Sequence, residues 1–524
     1  MVSFNDSVED LAVIEAIRDY VKSHRIKLVM FDLFETIVFP KCLDEKYCKN
    51  EFNPKKNNIF KLFFRALRSL IVRIHGHELS KSRLGNWVWK LESKYFHHST
   101  AHYFPRQLIV NLVKELSASG TTVAIVSNTM ISDLEVLRIL QSCGLAKNQF
   151  FTSKSIGVLK SQGLYQQVLD QLGYNSNESL IVGDDKKEDL QPGSQIGVKA
   201  FQVEKISKRL NPVLNTKQIV ELNASEPGRI YLLKFAQILS HQPLTTYGMA
   251  SGFFYSGLLA NTTAKDLLEI SKDNGASNIV FLSREGYLVK AATKKHLEGI
   301  ESTLTCNYLY ASRALLSSSS GLEFVKKQIS EMKLNGHSLV FDVGWRGYFL
   351  GEISGLITQK PTMVMIGIWP WIVNQKNFKT TIFRRRNLLR AWTFRKCPEI
   401  VEFLLAAPHE TVQSQHIKPI AKDSWESAIL DGADLSPTFT KNSELEKFLM
   451  LKLFQSLLSR PSKPQAVLFG NIFHSANGEP SMRLTDVAIN GRIFWLRGSK
   501  ATGNSSRLAR FREVKRRFTA GLSR

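Results

Sequence analysis

The stretch Ile26-Lys27-Leu28-Val29-Met30-Phe31-Asp32-Leu33-Phe34-Glu35-Thr36 decides how this chain folds. Its first half is a short apolar run ending at an acid, which reads as a buried strand carrying Asp32 to its C-terminal edge. Three later runs have the same form: residues 122–126 before Ser127, residues 150–152 before Lys154, and residues 179–182 before Gly183-Asp184. Helical patterns at 134–140 and 164–172 separate them. Strand and helix in alternation predict an α/β domain with a parallel sheet covered on both faces. Ligands then bind beyond the carboxyl ends of the strands, where these polar residues fall.

Outward from this core, the chain between Asp32 and Thr122 is far longer than one crossover needs, which predicts a helical cap inserted at about residues 40–115. Within it Lys61, Arg65 and Arg68 share one helix face. A turn-rich segment at 223–228 precedes a second α/β pattern with strands expected at 278–282 and 338–341. The expected organisation is 1–225, 226–420 and a basic helical region at 421–524, of which residues 461–524 hold twelve Lys/Arg against three Asp/Glu. No internal repeat is present.

Asp32, Ser127, Lys160 and Asp184 follow one another in this order, at or just beyond strand ends. Each alone reads as a turn, cap or solvated residue. The ordered set, with Phe31-Asp32-Leu33-Phe34-Glu35-Thr36, Ser127-Asn128, Lys160 and Gly183-Asp184-Asp185-Lys186-Lys187-Glu188-Asp189, resembles the haloacid dehalogenase-like hydrolase superfamily. The resemblance implies a Rossmann-like sheet in residues 1–225. It also implies Asp32 as nucleophile, Ser127 and Lys160 holding a transferred phosphoryl group, Thr36 and Asn128 beside the substrate, and Mg²⁺ at Asp32, Phe34, Asp184 and Asp189. The chemistry is coherent, because a carboxylate can attack an anionic ester only when nearby cations offset the repulsion. One departure matters: phosphatases of the superfamily usually carry a second aspartate two residues after the nucleophile, and here that residue is Phe34. Losing a general acid–base group costs typically about 10²–10⁴-fold in rate. The dehalogenase branch also lacks that second acid, yet it does not need the metal-binding acids that Asp184 and Asp189 supply, so phosphoryl chemistry is the favoured expectation. Glu35 is a poor substitute if the strand continues that far, since adjacent residues then face opposite sides.

In the second α/β pattern, Phe281-Leu282-Ser283-Arg284-Glu285-Gly286-Tyr287 and Phe341-Asp342-Val343-Gly344-Trp345-Arg346-Gly347 both lead from a strand into a loop mixing acid, arginine and glycine, and Tyr310-Ala311-Ser312-Arg313 is read with them. Two readings stand equally: Arg284, Arg313 and Arg346 bind a phosphate or nucleotide-sugar group through their forked guanidinium, or these arginines pair with Glu285 and Asp342 across the loops. With the start at Asp32 and residues 402–408, these motifs resemble a bacterial subgroup of the same superfamily found beside glycosyltransferases in surface-polysaccharide clusters, over about residues 26–415. That likeness implies a phosphorylated sugar as substrate and a glycosyltransferase as partner. The rivals are a weakly catalytic or inactive binding module supporting a glycosyltransferase complex, and glycosyl transfer by the second domain.

Composition narrows the remainder. With 43% hydrophobic and 22% charged residues and 16 prolines, wholesale disorder is excluded. Five dispersed cysteines, with no C-x-x-C pair, indicate neither a disulfide framework nor a zinc ribbon. Acidic residues near the N-terminus, where an export signal would be basic, lead to the expectation of a cytoplasmic protein. The apolar stretch around 247–254 is too short to span a bilayer and reads as a buried helix. A net charge of +24 favours anionic contacts. Basic residues gather at Arg384-Arg385-Arg386, Arg390 and Arg395, and in the tail 510–518, where interleaved aromatics suit an anionic membrane surface at the inner face better than nucleic acid. No Walker A loop, G-x-G-x-x-G, H-E-x-x-H or G-x-S-x-G motif occurs.

Overall fold

A computed structural model describes residues 7–40, 103–366, 378–380, 398–470, 473–474 and 482–483, with short breaks at 130, 207–209, 242–246, 299, 344–347, 406, 411–415, 422–423, 438–442 and 460. Lys61, Arg65, Arg68, Arg346, the arginines of 384–395 and the tail 510–518 lie outside the described residues. Two compact units form: Met1–Arg209 with Leu232–Thr245, and Leu210–Tyr231 with Thr246–Arg524.

The first unit is built on a five-stranded parallel sheet. Its strands are β1 (Leu28–Phe31), β4 (Thr122–Ser127), β5 (Gln149–Thr152), β6 (Ser179–Gly183) and β7 (Lys199–Gln202), in the order β5-β4-β1-β6-β7. The apolar runs form the three central strands, buried along nearly their whole length, as a sheet covered on both faces requires. Edge strand β7 escapes sequence reading because its residues are half-buried or exposed and carry no continuous apolar signal. Between β1 and β4 the antiparallel pair β2 (Val38–Pro40) and β3 (Tyr103–Pro105) joins the two points where the chain leaves and re-enters the described part of this unit. The helix Gln107–Ala118 then buries Ile109, Val110, Leu112, Val113 and Leu116 in the same core as β1.

The second unit carries its own parallel sheet: β8 (Asn278–Leu282), β9 (Thr305–Leu309), β10 (Ser338–Asp342), β11 (Thr362–Met365) and β12 (Phe378–Thr380), in the order β12-β11-β10-β8-β9. The expected strands β8 and β10 are its central pair. The apolar stretch after residue 246 forms the buried helix Tyr247–Ser251, a π-helical turn at Gly252–Gly257 and the helix Leu258–Asp273. Gly252 and Gly432 let this segment lie directly on the helix Trp425–Leu435. A Cβ on either would overlap main-chain atoms of the other helix, at Ile429 and Met249 respectively. Helices Ser443–Ser459 and Lys463–Gly470 pack into the same unit. Gln465 donates to the carbonyl of Val213 (2.9 Å) and Gln218 to that of Leu453 (2.9 Å). No helix among the described residues is long and apolar enough to cross a membrane.

Candidate active site

In the first sheet β1 connects towards β4 and β5 on one side, while β6 and β7 lie on the other. The strand order therefore reverses between β1 and β6, and the crevice at their carboxyl ends is the position where doubly wound sheets bind ligands. Asp32 follows β1 and Asp184 follows β6, so both meet there. The backbone N–H of Asp32 donates to the carbonyl of Val182 at 2.9 Å, extending the ladder by one residue and holding the carboxylate at the edge.

Lys160 arrives from a short 3-10 turn, Lys160–Gln162, and is 2% exposed. Its Nζ donates to Asp32 Oδ1 (2.5 Å) and Asp189 Oδ1 (2.6 Å), and Tyr165 Oη donates to the same Asp189 oxygen at 2.8 Å. Asp189 Oδ2 accepts from the backbone N–H of Asp185. Asn128 positions the lysine by accepting from its backbone N–H (2.9 Å), and is itself held by donating to Glu188 at 2.6 Å. Thr36 donates to Asp184 Oδ1 (3.1 Å), and Lys205 Nζ lies 2.9 Å from Asp184 Oδ2. No described residue hydrogen-bonds to Asp32 Oδ2. The buried hydroxyl of Ser127, at the end of β4, has no hydrogen-bond partner among the described residues. A buried donor without an acceptor costs about 1–3 kcal/mol, which an anionic ligand oxygen would recover.

Three buried carboxylates face one buried ammonium, and the surplus negative charge shapes the titration. Burial raises the Asp32 carboxyl well above its ordinary value; Lys160 opposes this, while the carboxylates of Asp189 and Asp184 reinforce it. Burial alone would lower Lys160, but Asp32, Tyr165 and Asp189 outweigh it and hold the ammonium charged. One carboxylate oxygen from each of Asp32, Asp184 and Asp189 lies within 4.8 Å of the others. A hard divalent cation suits such an oxygen set, and its charge would offset the surplus. The residues therefore fit Mg²⁺.

Phe34 is half-buried. Its ring packs on Tyr103, with centroids 5.3 Å apart, and against the core of the first unit. The sequence argument against Glu35 needs correction: the strand ends at Phe31, and Glu35 sits in the left-handed region at φ 61°, so strand alternation says nothing of it. Arg106, which is 4% exposed, fixes this loop by donating to the carbonyls of Glu35 (2.7 Å) and Glu204 (3.2 Å). Arg106, Tyr165 and Lys205 escaped sequence reading. Tyr165 could have been found from its helix, where it lies on the buried face with Leu164, Val168 and Leu169. Lys205 follows the unrecognised strand β7 and left no signal.

Of the remaining sequence-derived site residues, Arg284 and Arg313 follow β8 and β9 in the second unit, Arg284 half-buried and Arg313 exposed. Arg346 lies outside the described residues.

Fold and site together define the class, a doubly wound α/β hydrolase domain centred on a strand-end aspartate. Residues 30–203 match the haloacid dehalogenase-like hydrolase family. Solved structures similar to the chain include a HAD phosphatase from Thermococcus onnurineus, at 15% identity over 36% of this chain and 98% of that one, with a TM-score of 0.27. Another is the HAD-hydrolase YfnB from Bacillus subtilis bound to magnesium, at 17% identity over 36% and 99%, with a TM-score of 0.24. No curated protein matches the chain.

Proposed function

We propose that the first unit hydrolyses phosphate monoesters through an aspartyl-phosphate at Asp32. The observation that carries this reading is the buried Lys160, held between Asp32 and Asp189, together with the buried Ser127 hydroxyl at the end of β4, which has no partner among the described residues. Lys160 occupies Oδ1 of Asp32 and leaves Oδ2 to form the new bond to phosphorus as the ester P–O bond breaks. Ser127 Oγ and Lys160 Nζ donate to the phosphoryl oxygens, where negative charge accumulates. Asn128 fixes the lysine backbone and Thr36 orients Asp184. Asp32, Asp184 and Asp189 would hold Mg²⁺, with Phe34 able to offer only its main-chain oxygen, and the ion supplies charge neutralisation to the anionic ester.

The leaving oxygen must still gain a proton, and attack on the acyl-phosphate needs a base. Phe34 provides neither, so this reading includes slow breakdown of the intermediate. The same residue supports a second reading, a binding module with weak or no turnover in a glycosyltransferase complex. Sugar phosphates are the first esters to test, following the resemblance to the polysaccharide-linked subgroup. A cytoplasmic setting at an anionic membrane face belongs to the same reading.

The test is phosphate release from a panel of sugar phosphates, with Mg²⁺ or with EDTA, by wild type and Asp32→Asn. Metal-dependent release that falls at least about 10³-fold in the variant is expected, since removing a covalent nucleophile removes the pathway. Release unaffected by Asp32→Asn would overturn the hydrolase reading.

A further inference from the structure

The second sheet has its own strand-order reversal. β8 lies between the edge strand β9 and the strands β10, β11 and β12, and doubly wound sheets bind ligands beyond the carboxyl ends of their strands. The loop after β8 holds Ser283, Arg284 and Glu285, followed by the helix Gly286–Leu297. This loop is rigidly tied to the one after β9: Ser283 Oγ donates to the carbonyl of Ala311 (2.7 Å) and accepts from its N–H (3.0 Å).

Three donor groups here lack acceptors. The Arg284 guanidinium carries five N–H groups, none of which hydrogen-bonds to a described residue, and its Nε is buried. Its ionic neighbour Glu285 lies 4.0 Å away, beyond hydrogen-bond reach, and that carboxylate instead accepts from the Arg284 backbone N–H at 3.2 Å. The half-buried Tyr287 and Tyr310 flank Tyr308, with ring centroids 5.8 and 5.0 Å from it, and neither of their hydroxyls has a hydrogen-bond partner among the described residues. Tyr308, by contrast, is committed. His409 Nδ1 lies 2.7 Å from the carbonyl of Glu410, which fixes the neutral ring with its proton on Nδ1. Nε2 then accepts the Tyr308 hydroxyl proton at 2.9 Å. Burial, by lowering the His409 pKa, keeps this ring neutral. The result is a fixed aromatic floor with a guanidinium and two phenols able to donate, none of them hydrogen-bonded to the Glu285 carboxylate beside Arg284.

We propose that the carboxyl edge of β8 and β9 is a second ligand site, binding the phosphate of a phosphate monoester through Arg284, Tyr287 and Tyr310. A guanidinium fork with neutral hydroxyl donors matches the several acceptor oxygens of a phosphate, and Glu285, 4.0 Å from Arg284 Nε, leaves the guanidinium without a side-chain hydrogen bond. The site belongs to the second unit and does not depend on the hydrolase reading.

The experiment is calorimetric titration of the full chain carrying Asp32→Asn with glucose 1-phosphate in EDTA, which prevents turnover. Three further substitutions are compared in this background. Arg284→Gln should weaken one binding event at least tenfold and Tyr310→Phe severalfold, while Ser127→Ala, which alters the first unit, should leave that event unchanged. If Arg284→Gln does not fold, Tyr310→Phe carries the test alone. The proposal is overturned if no binding is seen, if folded Arg284→Gln and Tyr310→Phe bind as their parent does, or if all binding vanishes with Ser127→Ala.

Discussion

Gly183 ends β6 against the side chain of Asp189, and a Cβ there would overlap that carboxylate. Glycine is what allows Asp189 to fold back under Lys160. Gly183→Ala should therefore displace Asp189, and residues that orient a metal site typically change affinity by about 10–100-fold when altered. Titration of the folded variant with Mg²⁺ checks this; undiminished affinity would show that Asp189 does not depend on the gap. Phe34 offers the converse experiment. Phe34→Asp gives up packing on Tyr103 and places a polar group in a half-buried position, so a loss of about 1–3 kcal/mol is expected. Under the proposed chemistry it should also speed breakdown of the aspartyl-phosphate. Acid-quench trapping of labelled enzyme should find the intermediate in wild type and less of it in the variant.

At the scale of elements, two ion pairs join the helices Leu258–Asp273 and Ser443–Ser459: Lys265 with Glu446, and Asp266 with Lys447. The Glu446 side chain is 0% exposed and that of Lys265 11%. Breaking a buried pair from one side leaves a bare charge and costs about 3–5 kcal/mol, whereas replacing both partners with apolar groups is often neutral. Glu446→Gln should thus lower the urea midpoint sharply, and Lys265→Met with Glu446→Leu should recover most of it. Burial pushes the Asp266 carboxyl up to about 6, despite Lys447. The unfolded value is about 3.9. A raised folded pKa contributes stability that is complete below pH ~4 and is lost as pH rises through ~6. Relative to wild type, Asp266→Asn should therefore lose less stability between pH 4 and 6, read from urea unfolding at each pH.

For the whole molecule, two doubly wound sheets in two compact units make local damage informative. Gly432→Ala forces a Cβ onto the main chain at Met249 and should loosen the second unit. Amide hydrogen exchange should rise in β8 and the helix Leu258–Asp273, and remain unchanged in β1, β4 and β6. Faster exchange in β1 would mean that the two units unfold together.

What the sequence by itself determined is what strand and helix periodicity can encode. Long apolar runs marked the central strands β1, β4, β6, β8 and β10. Their polar terminators marked Asp32, Ser127 and Asp184, because a residue ending a buried parallel strand has nowhere to go but the ligand edge. Lys160 stood out only through the family resemblance of the ordered set. The strands β7, β9, β11 and β12 were not, since partial exposure, intermittent burial or short length dilutes the apolar signal. Tertiary structure alone decided the pairings. Lys160 bridges Asp32 and Asp189 across 128 and 29 residues, Lys205 reaches Asp184 from beyond an unrecognised strand, and Tyr308 meets His409 across 101 residues. Such contacts depend on which strands lie side by side and where turns aim their side chains. Local sequence carries no period for either, so Arg284 stood equally as a salt-bridge or ligand residue, and the fold sets Glu285 4.0 Å from its Nε.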